Sequence, residues 1–175
     1  VEIAVLGREA EAEVWRIADG GGETLSVERR AAFALPFPAR ACASDGDGLV
    51  IAGPASGLAR VSLAGEVEAR VSPDATFSDV AFSELRGLPA VIAPSAEDSS
   101  LAVFDARSLE PVATVTFESG LNAPAFVEPD VLAVSDSSFG GMSFSSGLVA
   151  VYDSGDGRVK LVAREVLTRA VFSDA

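Results

Sequence analysis

One strand pattern recurs four times along this sequence, and that recurrence limits the possible folds more than any other feature. Glu13-Val14-Trp15-Arg16-Ile17, Leu58-Ala59-Arg60-Val61-Ser62-Leu63, Leu101-Ala102-Val103-Phe104-Asp105 and Leu148-Val149-Ala150-Val151-Tyr152-Asp153 start about 43 to 47 residues apart. Spacings of ~40–50 residues are those of four-stranded propeller blades. An apolar run precedes each copy, at Ile3–Leu6, Leu49–Ala52, Ala90–Ala93 and Val131–Val134. A turn and a third run follow, at Thr24–Val27, Glu66–Val71, Val112–Phe117 and Arg158–Val162. A shorter fourth element comes next, at Ala41–Ser44, Asp79–Phe82, Pro124–Val127 and Ala170–Phe172. The intervening Asp19-Gly20-Gly21-Gly22, Ala64-Gly65 and Ser154-Gly155-Asp156-Gly157 suit tight hairpins.

This pattern predicts an all-β chain: a β-propeller of about four four-stranded blade-like repeats in one domain over 1–175, either a small closed ring or part of a larger one. A twisted sheet cannot bury both faces alone, but radial stacking covers each face with a neighbour. The order of runs opens on the second strand of a blade and ends on a first strand. The last strand is therefore expected to join the first blade and close the ring. A β-sandwich with a coincidental repeat is the competing architecture. No 12-residue amphipathic pattern stands out; Val162–Val171 comes nearest, and its Val, Leu and Thr content suits a strand or short turn as well.

The 26 acidic and 13 basic residues leave a formal net charge of −13. Such a field repels nucleic acid and anionic membrane surfaces, which are not expected as partners, and attracts cations and basic proteins. No apolar run approaches the ~20 residues of a membrane helix. Cys42 stands alone, so no internal disulfide can form. The sequence has no histidine, which removes the usual general base and Ser-His-Asp chemistry. It begins at Val1 without a basic or signal-like stretch, as a mature form or a fragment would.

Several segments, in order, resemble the β-propeller phytases. Val5-Leu6-Gly7-Arg8 followed by Glu13–Ile17 is similar to a blade opening in that family. Gly57-Leu58-Ala59-Arg60 is similar to its Gly-Ile-Trp-Arg strand, and Phe77-Ser78-Asp79-Val80 to its Asp-Val-Glu-Gly strand. Ala102-Val103-Phe104-Asp105 resembles its Ala-Val-Tyr-Asp, and Gly147–Asp153 with Val159–Val162 its C-terminal blade. The resemblance spans nearly the whole sequence but only about the C-terminal half of a six-bladed family member. It implies calcium-dependent hydrolysis of phytate and a periplasmic or secreted location. In that chemistry, carboxylate-held calcium ions bind the polyanion and activate water.

The sequence departs from the family where the carboxylates matter. Arg40, in Arg40–Asp45, replaces the Glu of a Pro-Glu-Gly-Cys-like segment, and Ala81 replaces the Glu of Asp-Val-Glu-Gly. Paired Glu residues expected before the Gly-Ile-Trp-Arg strand fall on Gly53 and Pro54. Pro94–Ser99 keeps one matched Asp of a polar loop, and the family's acidic Thr-Asp-Gly segment has no counterpart around Leu121-Asn122-Ala123-Pro124. Calcium takes six to eight oxygens, so such losses weaken the site.

Asp79, Glu97, Asp98 and Asp136 remain as a candidate cation set for calcium, and Arg40 as a candidate phosphate ligand. Asp also serves turns, and Arg40 could instead pair with a nearby carboxylate. The one long irregular loop, Ser135–Ser146, carries Phe139, Met142 and Phe144 in a Gly/Ser background that suits a contact surface. No catalytic residue is assigned. Three functions follow: a phytase-like propeller that has lost its calcium chemistry and acts as a binding or scaffold module; a calcium-dependent phosphomonoesterase acting on phytate or another phosphorylated small molecule through the rearranged carboxylates; and a partial propeller that completes itself with a protein partner or by self-association.

Overall fold

A computed structural model describes residues 1–71, 74–120 and 124–173. Among the described residues, alternating and continuous apolar runs form fourteen strands in four antiparallel sheets, followed by one short helix. Sheet 1 consists of β1 (Glu2–Leu6), β2 (Glu11–Asp19) and β3 (Leu25–Ala34). Sheet 2 orders β4 (Ala41–Ser44), β5 (Gly48–Gly53), β6 (Gly57–Ser62) and β7 (Val67–Val71). Sheet 3 orders β8 (Ala81–Leu85), β9 (Leu88–Ser95), β10 (Ser100–Asp105) and β11 (Pro111–Thr116). Sheet 4 holds β12 (Pro129–Ser135), β13 (Leu148–Asp153) and β14 (Arg158–Ala163), and α1 spans Arg164–Val171.

Every sheet is a run of sequential neighbours, the arrangement of propeller blades. Sheets 1 and 2 enclose a core of Ala12, Leu35, Phe37, Leu49, Ile51 and Val61. Between sheets 2 and 3 lie Val50, Leu58, Phe77, Val91 and Phe104, with Phe77 and Phe104 edge-to-face at 5.7 Å. Sheets 3 and 4 share Ile92, Leu101, Val103, Leu132, Val149 and Val151, closed on the outside by Leu167 of α1. β5 and β9 are continuous apolar runs because each is covered on both faces. Among the described residues, no apolar core joins sheet 4 to sheet 1.

The four expected blades are present, but among the described residues only two have four strands. Pro124–Val127 is not a strand. Pro124 has no N–H, Phe126 is drawn into the core, and the Val127 and Glu128 amides donate to the Asp153 carboxylate instead of a neighbouring strand. β12 therefore stands first in sheet 4 and lies against β8 and β9. Its start meets residues 78–79 and its end reaches Ser83, so it runs in the direction of β8. The Leu121–Ala123 part of the segment without an acidic counterpart lies outside the described residues.

The expected closing strand at Ala170–Phe172 is instead the end of α1 and the turn after it. Helical spacing explains this. Leu167 and Val171 share one face, while Glu165 and Arg169 form an exposed i,i+4 pair at 3.8 Å, acid near the N-terminus and base near the C-terminus. Two smaller shifts follow from local pairing. The third run of sheet 1 extends through Ala34 rather than ending at Val27, and the strand expected at Asp79 begins at Ala81.

Candidate functional site

Asp79, just ahead of β8, is tied into the backbone. Its Oδ1 accepts the Val80 N–H at 2.8 Å and its Oδ2 the Leu132 N–H at 2.8 Å, joining the entry of β8 to β12. Ser78 adds a hydroxyl bond to the Asp130 carbonyl at 2.5 Å. Arg40, ahead of β4, donates through Nη2 to Asp130 Oδ1 at 2.9 Å. Asp79 and Arg40 are thus gathered by the same strand start, where they stitch sheets 2, 3 and 4 together. Cys42 is half-buried nearby; burial first, and then the Asp79 charge, push its thiol upward, away from a reactive thiolate.

The other predicted residues lie elsewhere. Glu97 and Asp98 are exposed on the β9–β10 hairpin, with Asp98 accepting the Ser95 hydroxyl at 3.0 Å. They border a cleft of about 220 Å³ that is also lined by Phe77, Ser95, Ser100 and Thr114. The buried Ser100 hydroxyl has no hydrogen-bond partner among the described residues. Asp136, at the far end of β12, faces Arg164 Nε at 3.3 Å and Ser83 at 3.4 Å. Asp79 thus lies just ahead of the start of β8, while Asp136 meets its middle residue. Among the described residues, no group of three or more Asp, Glu, Cys or His side chains is placed to hold a metal.

The most strongly built polar centres are two that the sequence did not single out. Arg60 on β6 is buried, donating to Glu68 and Asp45 at 2.9 Å each and to the Ala106 carbonyl of the next sheet at 2.9 Å. Lys160 on β14 is also buried. It bonds Asp153 and the Ala125 carbonyl at 2.6 Å each, lies 2.9 Å from Asp156, and sits 5.7 Å from the Phe126 ring. Burial alone would raise the Asp153 carboxyl. The Lys160 ammonium and the Val127 and Glu128 amides outweigh burial and lower it to about 2. Both centres are saturated by their own partners, so their chemistry is structural. The only sequence signal for them was a single basic residue inside a strand.

The β12–β13 loop is long, as expected, and leaves Met142 96% exposed, with Phe139 exposed beside it. Gly147 closes the loop at φ +100°, where a Cβ would come within 2.1 Å of the Ser135 carbonyl oxygen.

No known family profile matches the chain, and no curated protein matches it. Solved structures do. The chain superposes on BBS1N, crystallised in complex with ARL6DN, with a TM-score of 0.62 and 10% identity over 91% of this chain and 45% of that one. A second, lead-soaked crystal of the same complex gives 0.61 and 13% identity over 91% and 41%. The structure of U3-55K gives 0.53 and 15% identity over 91% and 47%. The fold is that of β-propeller blades. At these identities the likeness concerns fold alone, and the chain spans less than half the length of these neighbours. Among the described residues, no helix is long and apolar enough to cross a membrane.

Proposed function

We propose that this chain is a propeller-type protein-binding module and not a hydrolase. One observation carries the reading: Arg40 and Asp79, the candidate ligands gathered at one strand start, are occupied by a carboxylate and by backbone, while large apolar side chains stand in solvent. Arg40 is taken by Asp130, and Asp79 by two amides. Leu25, Val27, Met142, Val159 and Leu161 are exposed. Exposed contiguous apolar surface marks protein contact sites on soluble folds. A structural neighbour crystallised with a protein partner, BBS1N with ARL6DN, supports the same use of the fold.

The test is phosphate release from phytate in millimolar calcium, followed over hours against a blank. The expected result is release at the blank level. Sustained turnover, lost in Asp79→Asn or Asp98→Asn, would overturn the proposal in favour of the phytase-like reading.

A further inference from the structure

The stack has two uncovered ends. Along a strand, residues two apart share a face, and pairing carries that face to the next strand. In sheet 1, Ala4, Ala12 and Val14 point into the stack, which leaves Ile3, Val5, Trp15, Ile17, Leu25 and Val27 on the outer face. Leu25 is 73% and Val27 58% exposed. On this face Glu13 is neutralised, accepting from Arg29 at 2.7 Å and from Trp15 Nε1 at 2.9 Å, and the remaining charges of β2, Glu11 and Asp19, stand at its two ends. In sheet 4, Leu132, Val149 and Val151 point inward, which leaves Val131, Ala133, Ala150, Tyr152, Val159 and Leu161 outward. Val159 is 64% and Leu161 54% exposed. That face carries no charged side chain across its three strands.

Resting on the binding-module reading, we infer that the partner for these two faces is a second copy of this chain, with sheet 1 of each copy packed on sheet 4 of the other. Blade-on-blade packing is already established three times inside the chain, and this contact continues it with the same kind of surface. A single two-fold axis makes the contact twice and covers all four uncovered faces. The product is a closed ring of eight sheets from two four-sheet chains, within the usual propeller range. Because each copy carries a net charge of −13, the contact is apolar between like-charged bodies, so added salt strengthens it.

Light scattering on the 175-residue chain at tens of micromolar is expected to give about twice the 17.9 kDa of one chain. Val27→Lys and Val159→Lys should each yield a monomer with an unchanged far-ultraviolet spectrum, while Val67→Lys, exposed on sheet 2, stays dimeric. If a lysine variant misfolds, cysteine cross-linking still decides. In a Cys42→Ser background, the chain carrying both Val5→Cys and Leu161→Cys should cross-link, and either cysteine alone should not. A monodisperse monomer, open-ended polymers that grow with concentration, or cross-links between like faces would each overturn the inference. Phytate hydrolysis would overturn the binding-module reading without altering the mass. A monomer that releases no phosphate would overturn ring completion alone.

Discussion

Lys160 and Arg60 are the cations this fold buries among the described residues, and each is held by two carboxylates and a carbonyl from outside its own sheet. A buried charge is tolerated only when its partners are complete, so removing one partner costs far more than the pair contributes. Asp153→Asn leaves the buried Lys160 ammonium with Asp156 as its one carboxylate and should lower stability by about 3–5 kcal/mol in urea unfolding. The pH dependence has a definite sign. The folded Asp153 carboxyl lies at about 2, below its ordinary 3.8. Its stabilisation is complete above roughly pH 4 and is lost as pH falls through about 2. Wild type should therefore lose more stability than Asp153→Asn between those values; equal losses would count against the pair. In the sequence, Asp153 is the final residue of a repeat strand and Lys160 a polar position in the next. Nothing local marks them as partners, because their meeting depends on the β13–β14 register and on the coil at residues 124–128.

At the scale of elements, strand positions were legible and their roles in the sheets less so. Short apolar runs bounded by Gly, Asp and Ser identify strands because period-2 burial is local. β12 illustrates the limit. Its run at Val131–Val134 was expected second in a blade, yet it stands first in sheet 4 because Pro124–Val127 supplies no strand. α1 illustrates another. Its β-branched content reads as a strand, but the free surface between β11 and sheet 4 rewards a helix that inserts Leu167 there. Leu167 is fully buried, so Leu167→Ala should cost about 2–5 kcal/mol by thermal or chemical unfolding. A loss within about 0.5 kcal/mol, the usual scale of surface changes, would mean that α1 does not hold the outer core closed.

For the whole molecule, the net charge of −13 acts on every sheet at once. Self-repulsion weakens the compact state, and salt screens it over a Debye length of about 10 Å at 0.1 M. Thermal unfolding should shift upward by a few degrees between about 20 and 500 mM sodium chloride, at a protein concentration where the mass is fixed. A downward shift would show that the exposed ion pairs, such as Arg40–Asp130, outweigh the repulsion. The candidate cation set also fails to assemble at this scale. Asp79 lies just ahead of the start of β8 and Asp136 against its middle residue and Arg164, while Glu97 and Asp98 lie on a hairpin of sheet 3. Proximity to strand ends in the sequence does not say which end of the stack a residue occupies.

The sequence by itself determined an all-β chain of four blade-like units, because strand periodicity, turn residues and repeat length are encoded in neighbouring positions. Only the tertiary structure decided which strand stands first in sheet 4, that the last segment is a helix, and that Arg40 and Asp79 serve as stitches between blades. It also decided that Ala170–Phe172 ends a helix in place of the expected closing strand and that, among the described residues, two apolar faces stand open. These outcomes depend on contacts between residues 50 to 90 positions apart, such as Arg40 with Asp130 and Asp79 with Leu132, whose geometry exists only once the sheets have stacked.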